Sequence, residues 1–288
     1  MFEQITILAP GLLGSSLALA LKNHGLSQQT VVWARRSESR IKCKMQPWCD
    51  AVAETPEEAV ENADLTVVCC PVQTIYPLVS RIAKNFKSGG LVTDVGSAKG
   101  FIVHNCHAVM PEKVAFIGSH PMAGSERDGM ANARVDLYTQ KTCFVTPLAD
   151  SKSEAVESII RFWEALGMDV TTVSPDTHDE IVAHISHLPH LIASVLCSYL
   201  STRNQNWQNF AGNGLRDATR IASGNPELWK AIVEQNREEI IRAISGFEDD
   251  LRSLKSSIIN HESLEILSTL EQGKTFRDSM FPLHDIIP

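Results

Sequence analysis

Residues 118–126, Gly-Ser-His-Pro-Met-Ala-Gly-Ser-Glu, place a histidine ahead of a proline beside two glycines, two hydroxyls and a carboxylate. A histidine fixed in this way can accept a proton, because free imidazole titrates at about 6.5. Four more histidines fall at 178, 184, 187 and 190. The last three are spaced by three, which on a regular helix puts neighbours on one face. No glutamate or cysteine shares the spacing of a zinc motif and Pro189 disturbs the helix, so no metal is expected. Instead, at least one of these histidines is expected to reach the active site, while the others cap or fill helix contacts. Arg216 and Arg220 lie four apart beside Leu215, Ala218 and Ile221. Such arginines either snorkel and pair with acids such as Asp217, or clamp a carboxylate in a bidentate grip; the clamp is favoured for Arg220.

A redox cofactor is suggested by the first turn. An apolar run at residues 4–8 leads into Ala9-Pro10-Gly11-Leu12-Leu13-Gly14, a variant of the GxGxxG phosphate turn with alanine in first place. Alanine fits there if its φ stays negative. Gly11 stands where a pyrophosphate comes closest, and Gly14 where helix meets strand. About twenty residues on, a second β-rich run ends at Arg35-Arg36-Ser37 and not at the acid that NAD selectivity usually requires. Two guanidinium groups match a 2′-phosphate, so NADP is expected to be preferred over NAD. Gly11, Leu12, Leu13, Gly14, Arg35, Arg36, Pro71 and Ser97 form the expected cofactor-facing set.

The elements that must hold these groups alternate through the first half. Strands are expected at 4–8, 30–33, 65–70, 91–94, 114–117, 142–145 and 169–173, with helices at 15–23, after Thr55-Pro56, at 75–86 and at 153–166. The alternation predicts a Rossmann-like, doubly wound parallel sheet. After Pro175 the β character disappears. Helical periodicity runs over 176–200, 205–223, 226–257 and 261–272, with Asn225-Pro226 as a strong start signal. The expected division is a dinucleotide-binding domain at 1–174 and an all-helical domain at 175–288. The helices are too amphipathic to bury their faces alone, which predicts a dimer.

With 288 residues, 43% apolar and 21% charged, the chain suits two globular domains. A net charge of -8 argues against nucleic acid or an anionic membrane as the main partner. No apolar run reads as long enough to span a bilayer, and no basic, cleavable leader opens the sequence. Seven cysteines without a CxxC pair argue for reduced thiols and a cytoplasmic protein.

Three segments together resemble the prephenate/arogenate dehydrogenases of tyrosine biosynthesis. They are Asp94-Val95-Gly96-Ser97-Ala98-Lys99, the 118–126 segment, and Ser186-His187-Leu188-Pro189-His190 with Arg216-Asp217-Ala218-Thr219-Arg220-Ile221-Ala222. The resemblance implies a homodimer with a helical dimerisation domain and an oxidative decarboxylation driven by a nicotinamide. It makes His120 the catalytic histidine, Ser97 its hydroxyl partner, Arg220 the substrate-carboxylate arginine and His187 a second pocket residue. Trp229 and Glu126 match the pocket rim, and Arg216 joins the substrate set. Ala9 and Arg35 are departures from the pattern, the second bearing on cofactor choice. Arogenate, or an amino-substituted prephenate, remains as alternative substrate, with Glu126 and Asp176 as candidate partners for an ammonium group. A regulatory protein with a dead site or a related imine or β-hydroxyacid reductase fits less well. The first would lack His120 or Arg220, and the second would need a catalytic lysine in the helical half.

Overall fold

The computed structural model describes residues 2–124 and 129–280. Strands β1 (Phe2–Leu8), β2 (Ser27–Trp33), β3 (Ala51–Val52), β4 (Leu65–Val68), β5 (Leu91–Asp94) and β6 (Ala115–Phe116) form one parallel sheet in the order β3-β2-β1-β4-β5-β6. This is the doubly wound order expected of a dinucleotide-binding sheet. Successive side chains alternate between two cores. Ile5, Ile7, Val32, Leu65 and Val67 join the core beneath helix α1 (Leu12–His24). Leu8, Val31, Trp33, Val68 and Val92 join the opposite one.

Helices α2 (Ser37–Lys44), α3 (Pro56–Val60), α4 (Val72–Ile82), α5 (Gly100–Val109) and α6 (Ser153–Ala165) complete the layers. Local chemistry explains their ends. Gly25 closes α1 at φ +62, and Thr55 with Glu58 forms a capping box on α3. α2 and α5 went unread in the sequence.

A second sheet holds the histidine-bearing segment. Residues 118–121 lie in none of the expected strands, yet β7 (Gly118–Pro121) is a buried strand antiparallel to β8 (Thr142–Thr146), which pairs in parallel with β9 (Asp169–Thr172). His120 therefore sits opposite Phe144 in a ladder. Pro121, which has no N–H to give, ends the strand.

Among the described residues only helices follow β9: α7 (Pro175–Val182), α8 (Leu188–Ser201), α9 (Asn213–Thr219), α10 (Pro226–Gln235), α11 (Arg237–Ile259) and α12 (Ser263–Met280). Ser174 caps α7 with Pro175 in its first turn, and the Asn225 carboxamide caps α10 as the Asn-Pro pair predicted. The expected helix over 205–223 is instead a 3-10 turn at Gln205–Phe210, a break, α9 and a second 3-10 turn at Arg220–Ser223. The helix over 226–257 is interrupted at Asn236, which turns out to have a partner elsewhere. Contrary to the sequence reading, the continuous run Pro175–Ser201, with mean hydropathy 1.4, is long and apolar enough to cross a membrane by length and composition. Its apolar residues are joined by His178, Asp179, His187 and His190, all buried within the fold.

The chain divides into compact units Met1–Arg237 and Glu238–Pro288. The second consists of most of α11 and of α12, with Phe247, Leu251, Ile259, Leu264 and Phe276 exposed in the single chain.

Candidate active site and cofactor turn

Because β1, β2, β4 and β5 run parallel, the segments following them gather on one edge of the sheet. That edge carries Gly11 to Gly14, Arg35 and Arg36, Pro71 and Ser97. Gly11 caps α1 without a side-chain acceptor, and a Cβ built on it would meet nothing within 4 Å. The start of a thirteen-residue helix thus has no side-chain cap and open space beside Gly11, a setting suited to a pyrophosphate. A Cβ on Gly14 would lie 3.0 Å from Ile7 Cγ2 and 3.2 Å from Cys69 Cβ, so this glycine is where helix meets strand. Ala9 differs from expectation. Its φ is +62, in the left-handed region that an alanine adopts only with strain. Arg35 and Arg36 are exposed at the end of β2, and neither side chain has a partner among the described residues. Pro71 is the exposed N-cap of α4. Ser97 is half-buried between β5 and α5.

β7 carries His120 into a buried polar cluster. Its Nδ1 lies 2.9 Å from His178 Nε2 on α7, and His178 Nδ1 lies 2.8 Å from Asp179 Oδ1. The Asp179 carboxylate also accepts from Lys99 N at 2.7 Å and Gly100 N at 2.8 Å, tying α7 to the start of α5. Phe144 packs edge-on against His178 with ring centres 5.3 Å apart. Beneath β7, the Lys99 ammonium pairs with Asp94, both side chains fully buried, and donates to Ser119 O at 3.0 Å. Asp94 also accepts from Gly96 N at 2.9 Å and Ser119 N at 3.2 Å. Trp163 Nε1 donates to Ser119 Oγ at 2.9 Å.

These surroundings fix charge states. Burial pushes the His120 imidazole well below its ordinary value, and His178, the Lys99 ammonium and His187 push it the same way. It is neutral at pH 7. Burial also lowers His178, partly opposed by the Asp179 carboxylate.

His187 departs from the predicted pattern with a purpose. Residues Ala183–His187 form a π-type turn between α7 and α8, which shifts the helical phase. His184 is consequently exposed, bonded among the described residues to Glu180 O, and does not share a face with buried His187. Asn236 Nδ2 donates to Asp179 O at 2.8 Å, which fixes its amide, and also to His187 Nδ1 at 3.2 Å. His187 Nε2 must then carry the proton. It is buried without a partner among the described residues, a donor awaiting an acceptor. Burial holds His187 down to about 4. Trp229 meets the His187 ring edge-on and stacks on His190 at 3.5 Å.

The remaining candidates are placed less tightly. Arg220 follows α9 in the 3-10 turn, Arg216 lies within α9, and both are exposed. Glu126 lies outside the described residues. Asp176 is exposed, 3.9 Å from His104. Among the described residues, no group of three His, Cys, Asp or Glu is arranged to hold a metal. His178, one of the four histidines from which a site residue is expected, belongs to the cluster, as do Asp94 and Lys99 of the 94–99 segment, to which the sequence assigns no role; Asp179 and Asn236 are not singled out by the sequence, although Asp179 directly follows His178.

The chain matches the family model for the prephenate dehydrogenase nucleotide-binding domain over residues 17–192, and that for the prephenate dehydrogenase dimerization domain over 174–272. It is 28% identical to the cyclohexadienyl dehydrogenase of Zymomonas mobilis over 100% of this chain and 99% of that protein. The prephenate dehydrogenase of Aquifex aeolicus, solved with hydroxyphenyl propionate and NAD+, superposes with a TM-score of 0.91 at 28% identity, covering 97% of this chain and 99% of the other. Synechocystis arogenate dehydrogenase superposes with a TM-score of 0.85 at 26% identity, covering 96% and 99%. With both halves matched in order on this fold, the chain belongs to the prephenate dehydrogenase family and is an oxidoreductase.

Proposed function

We propose that this protein oxidises prephenate to 4-hydroxyphenylpyruvate. The ring carbinol carbon gives up hydride, the carboxylate leaves as CO2, and the ring becomes aromatic. A bound nicotinamide supplies the hydride acceptor. His120, neutral at pH 7, takes the carbinol hydroxyl proton or a strong hydrogen bond from it as the carbonyl forms, and returns it to the ring oxygen as CO2 departs. Ser97 orients the ring or hydroxyl, and Arg220 anchors a carboxylate, with Arg216 and Trp229 assigned to the same substrate and Glu126 to the pocket rim by resemblance; the contribution of Arg220 is chiefly positional. The observation that carries the reading is the pair of buried neutral imidazoles. His120 supplies an acceptor, and the unpartnered Nε2–H of His187 supplies a donor for a substrate oxygen.

Arg35 and Arg36, exposed and without side-chain partners among the described residues, support NADP as the preferred cofactor over NAD. The match to a dimerization domain and the exposed apolar residues of α11 and α12 support a homodimer, and seven unpaired cysteines support the cytoplasm. Initial rates at 340 nm with prephenate and arogenate, each with NAD and NADP, test the reading. The highest rate is expected with prephenate and NADP. Faster oxidation of arogenate selects the alternative, faster rates with NAD refute the cofactor assignment, and no turnover of either acid refutes the function. His120→Asn should lower kcat far more than it raises KM, while Arg220→Ala should chiefly raise KM.

A further inference from the structure

His120 does not stand alone. Asp179, His178 and His120 form an unbroken line of ring and carboxylate atoms, Asp179 Oδ1 to His178 Nδ1 at 2.8 Å and His178 Nε2 to His120 Nδ1 at 2.9 Å. An ionised carboxylate only accepts, so His178 carries its proton on Nδ1. Neutral His178 then presents a bare Nε2, and the proton between the two rings belongs to His120 Nδ1. The far nitrogen, His120 Nε2, is left with its lone pair free. One carboxylate thus sets two tautomers in series.

We propose that Asp179 and His178 are a positioning pair that holds His120 in its Nδ1–H form and receives the positive charge created when His120 takes a proton. The step balances. As a proton arrives at His120 Nε2 from the substrate hydroxyl, the Nδ1 proton of His120 passes to His178 Nε2. The charge then rests on the His178 imidazolium, in contact with the Asp179 carboxylate. Reversal of both transfers gives the proton back to the ring oxygen, so the reaction's proton balance closes without an outside acid.

The neighbouring groups explain why the charge moves on. His120 faces buried Lys99 and His187, which disfavour a cation there, and among the described residues no carboxylate is bonded to it. His178 feels Lys99 as well, yet it touches Asp179 and has Asp94 nearby, both favouring the cation. Asp179 is anchored independently by Lys99 N and Gly100 N at the start of α5, so it holds its place whichever way the protons lie. The assignment rests on the proposed role of His120, and its first test needs no substrate. In protein labelled with 15N-histidine, both rings should give the Nδ1–H signature near neutral pH, and on acidification the imidazolium signature should appear at His178 before His120. His178→Gln identifies the signals. Finding His120 with its proton on Nε2, or charging before His178, overturns the proposal whether or not the protein oxidises prephenate. The second test is kinetic. The carboxamide introduced by His178→Gln can still accept from His120 Nδ1 but cannot hold a proton, so kcat should fall about 10- to 100-fold with KM within about twofold. A two-proton solvent-isotope inventory should become a one-proton inventory. Asp179→Asn, should His178→Gln fail to fold, should scramble the His120 tautomer in the spectrum. Wild-type kcat in folded His178→Gln refutes the relay. A correct spectrum with no turnover in the wild type refutes the oxidation and leaves the paired rings standing.

Discussion

Lys99 is the best single place to test whether the buried polar cluster is held together as described. Its ammonium and the Asp94 carboxylate are each fully buried, and the ammonium donates also to Ser119 O at 3.0 Å. Lys99→Met keeps most of the volume and removes the charge. Asp94 would retain its bonds from Gly96 N and Ser119 N but lose the one cation it pairs with among the described residues. Stranding a buried charge in this way costs about 3–5 kcal/mol. Against a total stability of about 5–15 kcal/mol, that is a large fraction. Urea unfolding followed by tryptophan fluorescence is a suitable assay, because Trp163 bonds Ser119 on the same strand as His120. The double variant Lys99→Met/Asp94→Asn should regain about half the loss, since asparagine keeps an acceptor and carries no charge. A second effect follows at the site. Lys99 is one of the groups that hold the His120 imidazole down, so its removal lets that value rise toward 6.5. Protonation would then silence His120 at higher pH, and the acid limb of kcat/KM should move up. A loss of under about 1 kcal/mol in Lys99→Met, the size of a surface pair, would refute the account of this cluster.

Three other outcomes are expected. Ala9→Gly relieves a left-handed alanine worth about 1–2 kcal/mol and gives back about 0.4–1 in unfolded-state entropy, so Tm should rise slightly in a thermal scan; a fall would show that the alanine is not strained. A Cβ on Gly224 would lie 2.6 Å from Trp229 Nε1 and 3.0 Å from His190 Cε1, so Gly224→Ala should cost about 1–3 kcal/mol and raise KM by displacing the stack beside His187. Unchanged stability and KM would contradict that packing. The His187 imidazole is held in the fold at about 4 against 6.5 when free, so its contribution is complete above pH 6.5 and drains as pH falls toward 4. The drop amounts to about 3 kcal/mol and should be missing from the urea midpoints of His187→Asn over that window.

Much of this was legible in the residues because it obeys local rules. Ile5, Ile7, Leu65 and Val67 alternate with residues of the other core, and Thr55-Pro56 and Asn225-Pro226 announce helices through capping chemistry. α2 was not, because Ser37–Lys44 buries Cys43 alone and shows no apolar stripe. β7 was disguised by its composition. Gly118, Ser119, His120 and Pro121 look like a turn, yet all four are buried, since polar Ser119 finds Thr93 at 2.7 Å and Trp163. The phase of the histidines failed for a different reason. Three-residue spacing implies one face only on a regular helix, and the π-type turn at Ala183–His187 breaks that premise. A π-type turn has no residue signature of its own; it is offset by the bonds it permits, here Asn236 to both Asp179 O and His187 Nδ1.

Most of the contacts hidden from the sequence join distant residues, and the remaining one runs against what a lysine ordinarily does. Lys99 meets Asp94 within one loop, but a lysine is read as solvated until a buried carboxylate is seen beside it. His178 lies 58 positions from His120, and Asp179 80 from Lys99. What connects them is the docking of α7 onto the start of α5, where Gly100 permits the approach: a Cβ there would lie 3.0 Å from Asp179 Oδ2. The same carboxylate thus caps α5 and orders two imidazoles. It follows that stability and proton chemistry are not separable at this position. A substitution at Gly100 that pushes Asp179 away should weaken the interface of α5 with α7 and at the same time release the tautomer of His120, although neither Gly100 nor α5 touches that ring through a side-chain bond. A variant that did one without the other would show that the cap and the relay are independent.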